Sequence, residues 1–248
     1  MIEARQLKKS FGPQRVLDGV DVHVEKGESV VIIGRSGGGK SILLKHLIGL
    51  LTPDEGDVII AGESIARMNE RQLLKVRRKF GMLFQGAALF DSLTVAENVA
   101  FVLQREGKLS EPEMAKKVDQ ALDMVDLGGT QDKKPAELSG GMRKRVGLAR
   151  AIIYQPRIVL YDEPTTGLDP IVADSIDQLI VRVRERLAVT TVAVTHDMRS
   201  ARRIGQRILM LYRGRIHFNG TPDEIFQSQD PIVYRFVNGI SDAKESNF

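Results

Sequence analysis

The strongest chemical signal in the chain is Gly34-Arg35-Ser36-Gly37-Gly38-Gly39-Lys40-Ser41, which matches the spacing G-x-x-x-x-G-K-[ST]. A glycine-rich turn of this kind lets backbone N–H groups converge on phosphate oxygens where a side chain would clash. The positive end of a following helix adds attraction for the anion. In such a cradle Lys40 reaches the β- and γ-phosphates and the Ser41 hydroxyl holds Mg2+. The alternative is a chance glycine turn. The context argues against it, because a short apolar run, Ser29 to Ile33, precedes the loop and an apolar-periodic helix starting at Ile42 follows it.

Two acids close a second apolar run, Ile158-Val159-Leu160-Tyr161-Asp162-Glu163. Strand ends in open α/β sheets are where ligands bind. Asp162 suits a role toward Mg2+, and Glu163 is the best candidate to polarise an attacking water as general base. Read alone, the pair could equally cap a helix; beside a phosphate loop the catalytic reading is favoured. His196 ends a further strand, Val194-Thr195-His196-Asp197, where it would meet a γ-phosphate, whereas His23, His46 and His217 have no such context. Leu138-Ser139-Gly140-Gly141-Met142 opens a helix in which Ser139 is a good N-cap and the glycines expose the terminus, a second anion site. One chain with one cradle has no evident need for a second such site. A symmetric dimer supplies one, each chain covering the nucleotide held by its partner. A plain glycine-rich helix start is the bland alternative.

The elements that must position these groups read as follows. Residues 1–25 carry strand signals, with Val20 to Glu25 alternating strictly, and Ser29 to Ile33 reads as a strand buried on both faces. The helix after the cradle is expected from Ile42 to Leu51, stopped before Pro53, and a small hairpin over residues 54–65 with its first turn at Asp54 to Asp57. Between about 68 and 155 strand runs vanish and helices dominate, over 69–79, 94–106, 111–126 and 139–154. Two apolar strands, from Ile158 and from Thr190, bracket a helix with Ile176, Leu179, Ile180, Val183 and Leu187 on one face. A last hairpin over 207–219 turns at Arg213-Gly214, followed by a short helix pattern and a polar, mobile end from Ser241 to Phe248. The pattern is an α/β core in two pieces, forming one sheet, with a mostly helical block inserted.

Composition narrows the setting. The 248 residues fit one large domain or two small ones, and include no cysteine, so neither disulfides nor thiolate metal ligands hold the fold. No signal-peptide core opens the chain, and no apolar run approaches the ~18–20 residues that span a bilayer, so a protein soluble on its own is expected. The net charge of +4 comes from 36 basic against 32 acidic residues and reads as a mixed solvated surface.

Taken in order, Gly34 to Ser41, Gln85, Leu138 to Met142, Ile158 to Glu163, Gly167-Leu168-Asp169 and His196 resemble the Walker A, Q-loop, signature, Walker B, D-loop and switch histidine of an ABC transporter ATPase. The resemblance covers roughly residues 1–220, with a helical subdomain over about 86–155 inserted in a RecA-like core beside an antiparallel β subdomain, and residues 221–248 as a C-terminal extension. It implies the P-loop NTPase fold and ATP held head to tail between two subunits. Phe11 would stack on adenine, and Ile42, Ser139, Gly140, Gly141, Met142 and Asp169 would join the cradle residues around ATP. Ser41, Gln85 and Asp162 would serve Mg2+, with Gln85 also linking the attacking water to the helical block that touches the permease. Met142 replaces the usual glutamine of the signature, Phe11 a frequent tyrosine, and Tyr161 a smaller aliphatic; none removes a catalytic group.

The runs Phe84 to Val99, Leu138 to Met142 and Tyr161 to Pro170 are similar to the MlaF-like branch. That similarity implies phospholipid transport with an MlaE-like permease, an MCE protein and a STAS-domain subunit, at the cytoplasmic face of a bacterial inner membrane. A soluble ABC ATPase acting on nucleic acid is the competing class. It is disfavoured by the single Walker A and by the absence of a heptad array or cysteines between Lys40 and Ser139, so no nucleic-acid partner is expected. A non-hydrolysing regulator is disfavoured by the intact Glu163 and His196.

Overall fold

The computed structural model describes residues 1–241, so most of the polar end expected to be mobile lies outside the described residues. The strands are β1 (Ile2–Phe11), β2 (Gln14–Val24), β3 (Ser29–Ile33), β4 (Glu55–Ile60), β5 (Glu63–Ser64), β6 (Phe80–Leu83), β7 (Ile158–Asp162), β8 (Thr190–Thr195), β9 (Arg207–Tyr212) and β10 (Arg215–Gly220). The helices are α1 (Lys40–Leu47), α2 (Glu70–Arg77), α3 (Val95–Glu106), α4 (Glu111–Met124), α5 (Gly140–Ile152), α6 (Pro170–Leu187), α7 (Met198–Ile204), α8 (Pro222–Phe226) and α9 (Pro231–Val237). The chain divides into two compact units.

The first unit comprises Met1–Glu25, Ser29–Met68 and the chain from Val194 onward. Its antiparallel sheet runs β2-β1-β4-β5, with Ile2 opposite both Val24 and Ile60. The alternation read from Val20 is realised: Val20, Val22 and Val24 point into the core. β3 pairs in parallel with β9, Val30 opposite Arg207 and Ile33 opposite Met210, and all four of its valines and isoleucines are fully buried. β9 turns back into β10 through Arg213 (φ 47) and Gly214 (φ 75), the left-handed pair that a tight hairpin needs.

Two boundary expectations are corrected here. Helix α1 stops at Leu47 rather than Leu51. Gly49 turns left-handed (φ 70), and the Leu50 N–H returns to the Lys45 carbonyl at 2.8 Å, a glycine-closed helix end that needs no proline. The stretch Asp54 to Asp57 is not a turn either, since Glu55 already belongs to β4; the hairpin turns at Ala61 (φ 52) and Gly62 (φ 86).

The second unit holds Lys26–Glu28 and Asn69–Ala193. Helices occupy the predicted places, but the unit also contains β6, a strand the sequence reading omitted from residues 68–155, paired in parallel with β7 from Phe80 opposite Ile158 to Leu83 opposite Tyr161. It escapes pattern reading because it is four residues long and interrupted by Gly81. That glycine is required by packing: a Cβ there would sit 2.2 Å from the Ala151 carbonyl of α5. Tyr161 is fully buried, and burial pushes its phenol pKa up. Among the described residues no helix is long and apolar enough to cross a membrane.

Candidate functional site

In the first unit the loop after β3 is shaped by close backbone approach. A Cβ on Gly34 (φ 153) would fall 2.5 Å from the Leu211 carbonyl of β9. Gly39 (φ 95) is the N-cap of α1, and a Cβ there would lie 2.9 Å from Val16 Cγ1 of β2. No side chain caps this helix and its first turn holds no acid. Lys40 is 5% exposed, and its ammonium donates to the Gly34 carbonyl at 2.8 Å and the Arg35 carbonyl at 3.0 Å. An ammonium held over a helix terminus that carries neither side-chain cap nor acid is the donor set a phosphate requires. Ser41 and Ile42 follow in the first turn, half-buried.

His196 is exposed at the end of β8, and Asp197 beside it caps α7, accepting the Arg199 N–H at 2.8 Å. His196, Arg35 and Ser36 line one 390 Å³ cavity with Tyr212 and Arg235. Phe11 ends β1 with its ring 46% exposed and the Lys9 ammonium 5.6 Å from its centroid.

In the second unit Asp162 and Glu163 end β7, each only 8% exposed. Neither caps a helix: α6 is capped by Asp169, whose carboxylate accepts the Ile171 and Val172 N–H groups at 3.1 Å. The capping alternative for the acid pair is thereby removed. Glu163 adopts a left-handed backbone (φ 48), and its carboxylate accepts the Thr166 hydroxyl at 3.1 Å.

Ser139 caps α5 as expected, its hydroxyl accepting the Met142 N–H at 3.3 Å. The glycines have a further duty that the sequence did not reveal. A Cβ on Gly141 would meet Val172 Cγ1 at 2.6 Å, and one on Gly140 would meet Leu168 at 3.1 Å, so α5 docks directly on the start of α6.

Gln85 is exposed, but its carbonyl accepts from Lys144, a residue sequence reasoning passed over. The Lys144 ammonium also donates to the Glu163 carbonyl at 3.2 Å. Burial holds its pKa below the usual lysine range, opposed by the charges of Glu163 and Asp162. The available signal was a lysine on the buried stripe of α5, at helical spacing from Gly147, Leu148 and Ala151.

The family model for ABC transporters matches residues 17–166. The chain belongs to the ABC transporter ATPase family. This ABC ATPase is 41% identical over 238 residues to a probable ribonucleotide transport ATP-binding protein of Mycobacterium leprae, covering 96% of the chain and 69% of that relative. It is 38% identical over 242 residues to the intermembrane phospholipid transport system ATP-binding protein MlaF of Haemophilus influenzae, covering 98% of the chain and 92% of that protein. Among solved structures, a dimeric ATP-binding cassette in a post-hydrolysis state, bound to ADP and Pi, superposes with a TM-score of 0.81 at 34% identity, covering 90% of this chain and 99% of that one. The ABC ATPase therefore has the P-loop NTPase fold expected from its motifs, binds ATP and hydrolyses it.

Proposed function

We propose that this ABC ATPase binds MgATP at a head-to-tail homodimer interface and drives a phospholipid-transporting permease. Gly34, Arg35, Ser36, Gly37, Gly38, Gly39, Lys40, Ser41 and Ile42 bind the phosphates, and Phe11 stacks on the adenine. Ser41, Gln85 and Asp162 would hold Mg2+, which would supply Lewis-acid screening of the phosphate charge. Glu163 takes the proton of the attacking water, and His196 holds the γ-phosphate end of the site. Ser139, Gly140, Gly141, Met142 and Asp169 of the partner chain close the nucleotide from the opposite side, with the α5 terminus aimed at the anion.

The observation that carries the site reading is the acid pair itself. Asp162 and Glu163 are nearly buried at a strand end and cap no helix. Nearly buried carboxylates clustered at the end of a strand are expected at functional sites. The dimer is supported by the dimeric ADP-bound cassette to which the chain is similar. The phospholipid assignment is supported by the near end-to-end match to MlaF of H. influenzae. On this reading the chain works at the cytoplasmic face of an inner membrane beside an MlaE-like permease, with MCE- and STAS-domain subunits as further partners.

Replacing Glu163 with Gln removes the proton acceptor and keeps the shape. The variant is expected to bind ATP as the wild type does, lose most hydrolysis, and accumulate an ATP-bound dimer visible by size-exclusion chromatography. Wild-type turnover would show that Glu163 is not the base. Co-purification with the neighbouring permease, followed by lipid analysis of the complex, tests the substrate; absence of bound phospholipid would refute that assignment.

A further inference from the structure

Helix α5 makes an unusual contact with the hydrolytic half of the second unit. A lysine with 5% exposure is uncommon, because an ammonium taken out of water must find acceptors. Lys144 finds two, and both are main-chain carbonyls of residues already assigned to the site: Gln85 and Glu163. The second belongs to a residue whose own backbone is left-handed (φ 48), a conformation disfavoured for any side chain with a Cβ. Strain of this kind persists only where the surroundings hold it. Here the surroundings are the ammonium on the carbonyl and the Thr166 amide and hydroxyl, 3.3 Å from the Glu163 carbonyl and 3.1 Å from its carboxylate.

The same face of α5 grips the loop that follows Gln85. Arg150 donates to the Ala87 and Ala88 carbonyls, both at 2.6 Å, and those two residues are themselves left-handed (φ 60 and 48). Between the two cations, Gly147 lets the helix approach, since a Cβ there would lie 2.8 Å from Leu83 and 3.3 Å from Ala87. Lys144 stands five residues beyond Ser139. At a rise of about 1.5 Å per residue that is only about 7.5 Å from the end of the helix proposed to meet the partner's nucleotide.

We propose that Lys144 is a positioning residue: it fixes the Glu163 and Gln85 backbones to the α5 terminus, so that the water-activating carboxylate takes its working pose from the helix that closes on the partner's ATP. Packing alone does not explain the residue, because Val146, Leu148 and Ala149 already supply the apolar contacts of this helix. The inference rests on Glu163 being the base.

The test is steady-state ATP hydrolysis by the full-length chain. Lys144→Met keeps the apolar stem and removes all donors. Its kcat is expected to fall about tenfold to a hundredfold, the usual cost of a misplaced catalytic group, while the KM for ATP stays within about twofold. Lys144→Gln, whose amide donates to one of the two carbonyls, is expected to fall between the two at unchanged KM. Wild-type kcat in the Met variant would overturn the proposal, as would a joint change in kcat and KM with no recovery in the Gln variant. If the Met variant does not fold, the Gln variant decides alone: wild-type kcat, or a KM that changes along with kcat, overturns it. Glu163→Gln measured in parallel separates the two ideas. Turnover retained there removes the base assignment itself, whereas an inactive Glu163→Gln beside a fully active Lys144→Met removes only the role of Lys144.

Discussion

Asn98 offers a perturbation whose size follows from the structure. It is fully buried in α3 and makes four hydrogen bonds to the segment that leads into the helix. Its Oδ1 accepts the Phe90 N–H at 2.8 Å, and its Nδ2 donates to the carbonyls of Phe90, Leu93 and Thr94 at 3.1, 3.2 and 2.9 Å. A net hydrogen bond contributes about 1 kcal/mol, and a partner left unsatisfied costs somewhat more. The loop groups are only part-buried, so water recovers a share of them when the side chain is removed. Asn98→Ala should therefore destabilise by about 2–4 kcal/mol. At roughly 2–4 °C per kcal/mol for a chain of this size, the melting temperature should drop by about 4–16 °C. Calorimetry at fixed protein concentration without nucleotide reads this directly, since bound ligand would mask the loss. Asn98→Asp is a sharper version: one oxygen still accepts from Phe90, but the other faces three carbonyls. The folded state then disfavours the carboxylate, its pKa rises above the unfolded value, and the deficit shrinks as pH falls through that raised pKa. An Asn98→Ala melt within about 1 °C of wild type would refute the reasoning.

Further variants test the proposed assembly. Ser139→Arg should abolish hydrolysis while leaving ATP binding by the monomer intact, and Lys40→Ala should weaken ATP binding by removing a charge-assisted phosphate contact. Mixing the two variants should recover part of the activity, because a head-to-tail pair gathers both lesions into one site and leaves the other whole; no recovery, where one intact site suffices, would count against composite sites. Phe90 is 43% exposed, with its ring centroid 4.5 Å from that of Phe101, so an apolar patch is presented outward and not spent in the core. We propose that this patch seats a permease helix in the helix-in-groove mode, so Phe90→Asp should fold and bind ATP but fail to capture the permease in a pull-down, because a charge desolvated there is costly; retained capture with wild-type transport would discard that docking role.

Much of the molecule was legible from residue order because its strongest signals are local. The cradle, the β3 run and the Arg213-Gly214 hairpin each announce their backbone conformation in a few residues. What stayed hidden depends on contacts distant in sequence. β6 is invisible without knowing that Ala151 lies against Gly81. Pro53 points to a later end for α1 than the structure has, because the left-handed turn at Gly49 does the stopping. In the site, Asp162 and Glu163 are identifiable by type and place, but which acid caps α6 is a matter of backbone geometry, and the structure gives that role to Asp169. Lys144 was hidden for a simpler reason: a lysine in a charged helix reads as surface until its carbonyl partners are known.

The close approach of Val16 to Gly39 bears on how the proposed site would gauge its nucleotide. Val16 lies on the sheet that carries Phe11, and it also backs onto the Gly214 turn, where a Cβ would lie 2.9 Å from the Val16 carbonyl. The Asp18 N–H bonds the Gly214 carbonyl at 2.8 Å and its carboxylate pairs with Arg215. If Phe11 and Lys40 hold the two ends of the nucleotide as proposed, they act as the jaws of a caliper whose opening responds to side-chain volume at position 16, which backs directly onto the Gly39 turn. One added methylene, as in Val16→Ile, would push against the Gly39 turn and reset that opening, so drift at a residue outside the proposed nucleotide-binding set would read out as a change in which nucleotides fit.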